Sequence, residues 1–258
     1  MRERGGDRRL FAFDFDGTLS PIVPVRSEAR LHPACRALLG DLARIPGAVA
    51  AILSSRALDD LIPRVPVRGL FLGGGSGLEW RFPLGRRVPP GIEITGNVER
   101  ARERLSPPLA EISKVPGAEV EDKRWSIAVH FRNTPPEARS ALGPPLDVLR
   151  GTEGIRVFDG PDVAEIQLVP GWDKAEGLKH LCRRIRFDPS GGGIVYAGDD
   201  ENDAAAMRWA LSRGGTALAV GPVPRVSGAR TVTGPDSLAG AVRSLLARSA
   251  RAGKGMVA

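Results

Sequence analysis

Two aspartates two residues apart, Asp14 and Asp16, directly follow an apolar run and lead into Gly17 and Thr18. One carboxylate at such a position can act as a nucleophile, and a second one can exchange protons with the reacting group. Gly17 lets the backbone bend close to a ligand, where exposed N–H groups can hold anionic oxygens. The alternative is a turn closed by side-chain hydrogen bonds of the aspartates. The run DFDGT after LFAF favours the chemical interpretation.

A second acidic run, GDDENDAAAM, follows the apolar run IVYA and carries Asp199, Asp200 and Asp203. Carboxylates from two strand ends supply the hard oxygen ligands that Mg²⁺ prefers, and such an ion screens the charge of a phosphate dianion. The alternative is that Asp200 or Asn202 caps the next helix. Both interpretations can hold for different residues of the run.

Two further segments carry groups that suit a phosphate. Ser54 ends another apolar run and is followed by Ser55, and a hydroxyl there can either donate to a phosphate oxygen or cap a turn. Lys174 opens a predicted helix, where the helix dipole disfavours a cation. An anion bound beside Lys174 would explain this position, although exposed lysines are common. Four separate segments thus place suitable residues at predicted strand ends or helix starts.

Apolar strands that alternate with helices must position these groups. Strands are predicted over Leu10–Phe13 and Val49–Leu53, and the same alternation resumes after about residue 169. This pattern is typical of a doubly wound α/β fold with a parallel sheet. In such sheets ligands bind beyond the carboxyl ends of the strands. The four segments are therefore expected to meet at one edge of the sheet.

The middle of the chain follows another pattern. Helices are predicted over Val98–Ile112 and Pro136–Leu149, and each is followed by a predicted hairpin. Helix, hairpin, helix, hairpin indicates an α+β unit with an open antiparallel sheet. We expect this cap domain to cover residues 88–168, inserted in a core formed by residues 1–87 and 169–258.

Composition limits the classes of partner. Hydrophobic residues make up 42% and charged residues 26% of the chain, which is typical of a globular protein. The net charge of +7 is compatible with nucleic acid, an anionic membrane or an anionic small substrate. Aromatic residues are only 5%, so a stacking platform for bases is not expected. Neither a signal core nor a membrane span is evident. We expect a cytoplasmic monomer or weak homodimer that acts on a small anionic substrate, without nucleic-acid or membrane partners.

The chain resembles the haloacid dehalogenase (HAD) superfamily of phosphatases. The run DFDGT resembles the first motif of that superfamily, Ser54 the second, Lys174 the third and GDDENDA the fourth. The insertion between the second and third motifs resembles the larger α/β type of cap. Within the superfamily, the runs DFDGTLSPI, LSSRALDDL, VEDKRWSIAVHFR and PGWDKAEGL are similar to those of the trehalose-phosphatase family.

This resemblance implies a role for each candidate residue. Asp14 would be the nucleophile that forms an aspartyl-phosphate, and Asp16 the acid and base. Mg²⁺ would be held by Asp14, Asp199 and the main-chain carbonyl of Asp16. The phosphate would be bound by five residues: Gly17, Thr18, Ser54, Ser55 and Lys174. Asp200 and Asp203 would support the metal and Lys174. The candidate sugar contacts in the cap are Glu121, Lys123, Arg132 and Glu165. The alternative for Glu121 and Lys123 is a surface charge pair.

Three alternatives remain at this point. The first keeps the chemistry but changes the substrate to another sugar phosphate, or returns the phosphate to the substrate as a phosphomutase does. The second is a non-catalytic sugar-phosphate-binding module, against which the complete set of acid, nucleophile, lysine and hydroxyl argues. The third is a nucleic-acid binder, which rests on the basic charge alone.

Overall fold

The computed structural model describes residues 8–223 and 225–254, which form two compact units. The first unit comprises the described residues up to Val88 and from Asp173 onwards, and the second comprises Pro89–Trp172. The second unit thus begins one residue later and ends four residues later than the predicted segment 88–168. Among the described helices, none is both long enough and apolar enough to cross a membrane.

Strands and helices alternate along most of the described chain. The strands are β1 (Arg9–Phe13), β2 (Ala48–Leu53), β3 (Phe71–Gly74), β4 (Glu79–Arg81), β5 (Arg87–Val88), β6 (Glu119–Asp122), β7 (Ser126–His130), β8 (Arg156–Asp159), β9 (Val163–Gln167), β10 (Ile194–Gly198), β11 (Thr216–Val220) and β12 (Arg230–Val232). The α-helices are α1 (Pro33–Leu42), α2 (Leu58–Leu61), α3 (Ile92–Ile112), α4 (Gly143–Gly151), α5 (Lys174–Ile185), α6 (Glu201–Ser212) and α7 (Pro235–Lys254).

The first unit is built on an eight-stranded sheet in the order β12-β11-β10-β1-β2-β3-β4-β5. The strands from β12 to β3 are parallel, and β4 and β5 add an antiparallel hairpin at one edge. The chain leaves β1 towards β2 and returns on the other side of β1 at β10. The strand order therefore reverses between β1 and β10, and in open α/β sheets such a switch point is where ligands bind.

Helices cover both faces of this sheet. Successive side chains of β1 point to opposite faces, as in any strand. Phe11 and Phe13 belong to the core that includes residues of α1 and α7, whereas Leu10 and Ala12 belong to the core that includes residues of α5 and α6. The predicted doubly wound α/β class is thus confirmed.

The second unit has a four-stranded antiparallel sheet in the order β6-β7-β9-β8. The side chains of Ile127, Val129 and Ile166 are buried on one face of this sheet, and α3 and α4 contact its outer strands β6 and β8. Glu121, Ala128 and Glu165 stand opposite one another in register on the other face. The carboxylates of Glu121 and Glu165 therefore flank Ala128 on the same face of the sheet.

Two helices of this unit differ from the prediction. The helix α3 begins at Ile92, six residues before the predicted start at Val98. The helix predicted over Pro136–Leu149 is a 3₁₀-helix over Pro136–Leu142 followed by α4. Pro144 and Pro145 explain the break, because neither can donate a backbone hydrogen bond into the preceding turn.

Candidate active site

The two acidic runs meet at the switch point of the large sheet. Asp14 follows β1 and its backbone N–H donates to the carbonyl of Ala197 in β10 at 2.9 Å. Asp199 follows β10 on the adjacent strand. Asp14, Asp199 and Asp203 each offer a carboxylate oxygen, and these oxygens all lie within 4.8 Å of one another. Side chains almost 190 residues apart in the chain therefore form one acidic group.

The turn after Asp16 fits closely against Asp199. Gly17 has a φ of +74°, a backbone conformation that favours glycine. A Cβ atom at Gly17 would overlap the carboxylate of Asp199. Thr18 is fully buried, and its hydroxyl donates to Asp199 Oδ1 at 3.2 Å. Gly17 thus leaves room for the carboxylate of Asp199, and Thr18 binds it.

Lys174 lies between two of the three acids. It is the first residue of α5, after the N-cap Asp173, and its side chain is buried. Its Nζ donates to Asp14 Oδ1 and to Asp203 Oδ1, both at 2.7 Å. The two contacts fix the ammonium group beside the candidate nucleophile.

Asp203 is bonded on both of its oxygens. Oδ1 accepts from Lys174 and from the hydroxyl of Tyr196 at 2.6 Å. Oδ2 accepts the backbone N–H groups of Asp199 and Asp200 at 3.2 and 3.3 Å. Both carboxylate oxygens of Asp203 are therefore engaged by Lys174, Tyr196 and the main chain.

Asp200 caps the helix that follows, as one of the two interpretations of the run predicts. It is the N-cap of α6, its carboxylate accepts the N–H of Asn202 at 2.8 Å, and Asp203 completes a capping box. Asp199, which precedes the cap, lines the cavity described below together with Asp200.

Burial and mutual repulsion shift the pKa values of the residues in this acidic group. The pKa of Asp14 is raised well above its usual range by burial, opposed by Lys174 and reinforced by repulsion from Asp203 and Asp199. The pKa of Asp199 is raised to about 6, first by burial and then by repulsion from Asp203 and Asp200. Burial would lower the pKa of Lys174, but attraction from Asp14 and Asp203 outweighs it and raises this pKa. One lysine among several crowded carboxylates leaves an excess of negative charge that suits a divalent cation.

A cavity of about 290 Å³ opens on this group. Its lining residues are Asp14, Asp16, Ile22, Val23, Arg26, Ser55, Lys174, Asp199 and Asp200. Ser55 is exposed there, whereas Ser54 is fully buried and its hydroxyl accepts the N–H of Arg56 at 3.2 Å. The cavity thus gathers the candidate nucleophile, acid and lysine on one surface.

The carboxylate of Asp16 pairs with Arg56, whereas that of Asp14 pairs with Lys174. Asp16 receives two hydrogen bonds from Arg56, and its side chain is 39% exposed. Any contribution of Asp16 to a metal site is therefore left to its main-chain carbonyl, which remains a prediction.

Sequence reasoning missed Arg56 and Tyr196. Arg56 follows Ser54 at a strand end and lies four residues before Asp60, with which it pairs at 2.6 Å. That helical spacing of opposite charges was the available signal. Tyr196 sits inside an apolar strand, where a tyrosine is usually a core residue, so no local pattern indicated its contact with Asp203.

Three of the four predicted sugar contacts form a cluster in the second unit. Lys123 Nζ donates to Glu165 Oε2 at 2.6 Å and lies 3.9 Å from Glu121 Oε2. Ser126 donates to the other oxygen of Glu165 at 2.7 Å, and Glu121 lies 3.0 Å from His130 Nε2. All five residues belong to, or directly adjoin, strands β6, β7 and β9.

The fourth predicted contact lies apart from this polar cluster. Arg132 follows β7, its side chain is 82% exposed, and its Nε is 3.6 Å from Asp162 Oδ2. The structure thus brings Glu121, Lys123 and Glu165 together and pairs Arg132 with another acid.

Solved structures of other proteins share this fold. A protein described as trehalose-6-phosphate phosphatase related aligns with a TM-score of 0.73 over 94% of this chain and 99% of its own, at 18% identity. A haloacid dehalogenase-like hydrolase from Bacteroides thetaiotaomicron aligns with a TM-score of 0.63 over 92% of this chain and 99% of its own, at 17% identity. At these identities the likeness concerns the fold alone.

Sequence similarity is more specific. The trehalose-phosphate phosphatase of Mycobacterium avium (strain 104) is 36% identical over 202 residues, which is 76% of this chain and 49% of that protein. The chain thus spans about half the length of this relative. The sequence profile of the family described as trehalose-phosphatase matches residues 12–236, a span that contains every candidate residue discussed above. The chain belongs to the trehalose-phosphatase family.

Proposed function

We propose that this chain is a Mg²⁺-dependent phosphatase that hydrolyses trehalose 6-phosphate to trehalose and phosphate through an aspartyl-phosphate on Asp14. One observation carries the proposal. The buried carboxylate of Asp14 contacts Lys174 at 2.7 Å and lines the same cavity as Asp16 and Asp199. Nucleophile, acid and positive charge on one cavity wall are what phosphoryl transfer to a carboxylate needs.

In the first step, a carboxylate oxygen of Asp14 attacks phosphorus and forms an acyl-phosphate bond. The bond between phosphorus and the sugar oxygen breaks, and that oxygen takes a proton from Asp16. Lys174 draws negative charge from the phosphoryl oxygens as they approach Asp14. Ser54, Ser55, Thr18 and the backbone N–H groups at Gly17 are the further candidates for this role.

In the second step, a water molecule gives a proton to Asp16 and attacks phosphorus. The acyl-phosphate bond breaks, which releases inorganic phosphate and restores the carboxylate of Asp14. Asp16 has then regained the proton that it donated, so the cycle is balanced. A second carboxylate two residues from the nucleophile favours water as the acceptor, because it supplies both the acid and the base.

The acidic group supports a role for Mg²⁺. Asp203 is engaged with Lys174, Tyr196 and two backbone N–H groups, which leaves Asp14, Asp199 and the carbonyl of Asp16 to hold the ion. When bound, Mg²⁺ supplies positive charge that neutralises phosphate oxygens next to these carboxylates.

The substrate is inferred from the relatives and from the polar cluster of the second unit. Several similar proteins carry the name trehalose-phosphate phosphatase. Glu121, Lys123 and Glu165 offer charged donors and acceptors that suit sugar hydroxyls. Arg132, which pairs with Asp162, is the less supported of the four proposed contacts. We also infer that the protein works in the cytoplasm as a monomer or weak homodimer.

Phosphate release from trehalose 6-phosphate, measured with Mg²⁺ and after its removal with a chelator, tests this proposal. We expect release with Mg²⁺ only, and at least about 10³-fold slower release by Asp14→Asn. Asp41→Asn, a change in a partly exposed surface acid, should turn over normally. Full turnover by Asp14→Asn would refute the covalent step.

A panel of other sugar phosphates tests the substrate. Faster hydrolysis of several of them would support the phosphatase reaction but would reject trehalose 6-phosphate as the substrate. Transfer of the phosphate back to a sugar hydroxyl, without release, would identify a phosphomutase.

A further inference from the structure

Arg56 contacts Asp16 but has no role in the reaction proposed above. Its Nε donates to Asp16 Oδ2 at 2.7 Å, and its Nη2 donates to Oδ1 at 2.6 Å. Parallel two-point contacts of this kind fix the direction of a carboxylate in addition to attracting it. Arg56 therefore sits where it can set the orientation of Asp16.

The guanidinium group is itself held on several sides. Nη1 donates to Asp60 Oδ2 at 2.6 Å, and Nη2 donates to the carbonyl of Arg26 at 2.8 Å as well as to Asp16. The guanidinium carbon lies 5.7 Å from the centre of the Phe15 ring. The side chain of Arg56 is 1% exposed, whereas that of Asp16 is 39% exposed. Arg56 is thus the fixed member of the pair.

The contact leaves Asp16 able to react. An ionised carboxylate has about four acceptor positions, and the two-point contact uses one on each oxygen. Asp16 also lines the cavity beside Asp14. The remaining acceptor positions of Asp16 are therefore available to a group in that cavity.

We propose that Arg56 is a positioning residue for Asp16, whose carboxylate it holds at the angle needed to exchange a proton with the leaving oxygen and the attacking water. This inference rests on the proposed function, because it requires Asp16 to be the acid and base. Arg56 itself forms and breaks no covalent bond in the cycle. Lysine cannot take its place, because an ammonium group is a point charge and not a planar fork.

The test compares two substrates in the variant Arg56→Lys. A sugar alkoxide is a poor leaving group that needs a proton from Asp16, whereas p-nitrophenolate leaves as a stable anion and needs little help. We expect kcat for trehalose 6-phosphate to fall about 10²-fold relative to kcat for p-nitrophenyl phosphate. We expect KM for both substrates to change by less than about threefold. Equal losses for both substrates, or no loss, would overturn the positioning role.

Arg64→Lys is the matched control. Arg64 pairs with the other carboxylate oxygen of Asp60, also at 2.6 Å, and donates to the main-chain oxygens of Ser27 and Ala29. The ratio of the two activities should stay at the wild-type value in this variant. An equal fall in Arg64→Lys would show that the ratio reports the local packing, and would also overturn the inference.

A second variant keeps the test decisive if circular dichroism shows that Arg56→Lys does not fold. Asp60→Leu removes the carboxylate that holds Nη1, so the guanidinium that orients Asp16 is less firmly fixed. The ratio should then fall by a smaller factor, and an unchanged ratio would contradict the inference. A wild-type protein that releases no phosphate from any sugar phosphate would instead refute the proposed function, so the two failures are distinct.

Discussion

Two lysines, one in each unit, are buried against pairs of carboxylates, but water reaches the two pairs to different extents. Lys174 contacts Asp14 and Asp203 at 2.7 Å each, and the side chains of these acids are 6% and 0% exposed. Because water is excluded, each charge there depends on the others, and the loss of one leaves an uncompensated charge in a medium of low polarity.

The lysine of the second unit is in a more open environment. Lys123 lies 2.6 Å from Glu165 and 3.9 Å from Glu121, and these acids are 34% and 32% exposed. Solvent screens such ion pairs, and water can replace one partner of a pair. The polar groups of a ligand can replace a partner in the same way. The charges around Lys174 are thus shielded from water, whereas those around Lys123 are open to it. Under the proposed function, the first set serves the chemistry and the second the recognition of the sugar.

Replacing each lysine by methionine tests whether the two lysines have these different roles. Lys174→Met should have the largest effect. It leaves Asp14 and Asp203 facing each other without their shared cation. We expect the free energy of unfolding to fall by about 3–5 kcal/mol, and phosphatase activity to fall about 10³-fold for every phosphate monoester. Urea denaturation and phosphate release measure the two effects. Activity above a tenth of the wild-type value would contradict the role of Lys174.

Lys123→Met should slow the hydrolysis of trehalose 6-phosphate but not that of a phosphate monoester without a sugar. We expect kcat/KM for trehalose 6-phosphate to fall by about 10-fold to 100-fold, because a lost polar contact to a substrate leaves its partners unpaired. Activity towards p-nitrophenyl phosphate, which has no sugar, should stay within about twofold of the wild type. A parallel loss for both substrates would show that the second unit is not concerned with the sugar.

Tyr196→Phe probes how tightly the acidic group is held. The change removes the hydroxyl that donates to Asp203 Oδ1 at 2.6 Å. A hydrogen bond to a charged group contributes about 1.5–3 kcal/mol, so we expect a loss of that size in urea denaturation and a fall in kcat of several-fold. Unchanged stability and activity would mean that Lys174 alone fixes Asp203.

The smallest expected effect is a dependence of Mg²⁺ binding on pH. The pKa of Asp199 is about 6 in the folded protein against a usual value of 3.8, so the folded state binds more protons between these values. Without a cation, stability therefore falls as pH rises through about 6. Mg²⁺ binds the ionised form, and it should raise the Tm by a few degrees at about pH 7.5 and hardly at about pH 5.

Two variants check that this effect belongs to the acidic group. Asp199→Asn should lose the difference between the two pH values, because no carboxylate titrates at that position. Asp188→Asn changes an exposed acid whose carboxylate accepts the backbone N–H of Ser190 in a surface turn. This variant should keep the difference in Mg²⁺ response between the two pH values. An equal response to Mg²⁺ at both pH values in the wild type would contradict the prediction.

The part of the site that follows strand ends could be predicted from the sequence. Apolar runs such as Leu10–Phe13 identify buried parallel strands, and parallel strands bring their carboxyl ends to one edge. The meeting of Asp14 and Asp199 could therefore be predicted from the apolar runs that precede them. Lys174 instead opens the helix α5. The short edge strands β4, β5 and β12 were missed, because two or three residues with charged members carry no clear apolar pattern.

The direction of individual side chains could not be predicted. Asp14 and Asp16 follow the same strand, yet one carboxylate turns to Lys174 and the other to Arg56. That choice depends on where a residue 40 positions along the chain points its guanidinium, which no local pattern encodes. For the same reason, the pairing of Arg132 with Asp162 separates it from the polar cluster of the second unit.

Tyr196 has a practical consequence, because it is the single tyrosine of the chain. A fluorinated tyrosine introduced during expression would label one position, and its ¹⁹F resonance would report directly on the carboxylate that it contacts. The four tryptophans offer no such selectivity. Cation binding and phosphorylation of the site could thus be followed from within the protein, without a chromophore on the substrate.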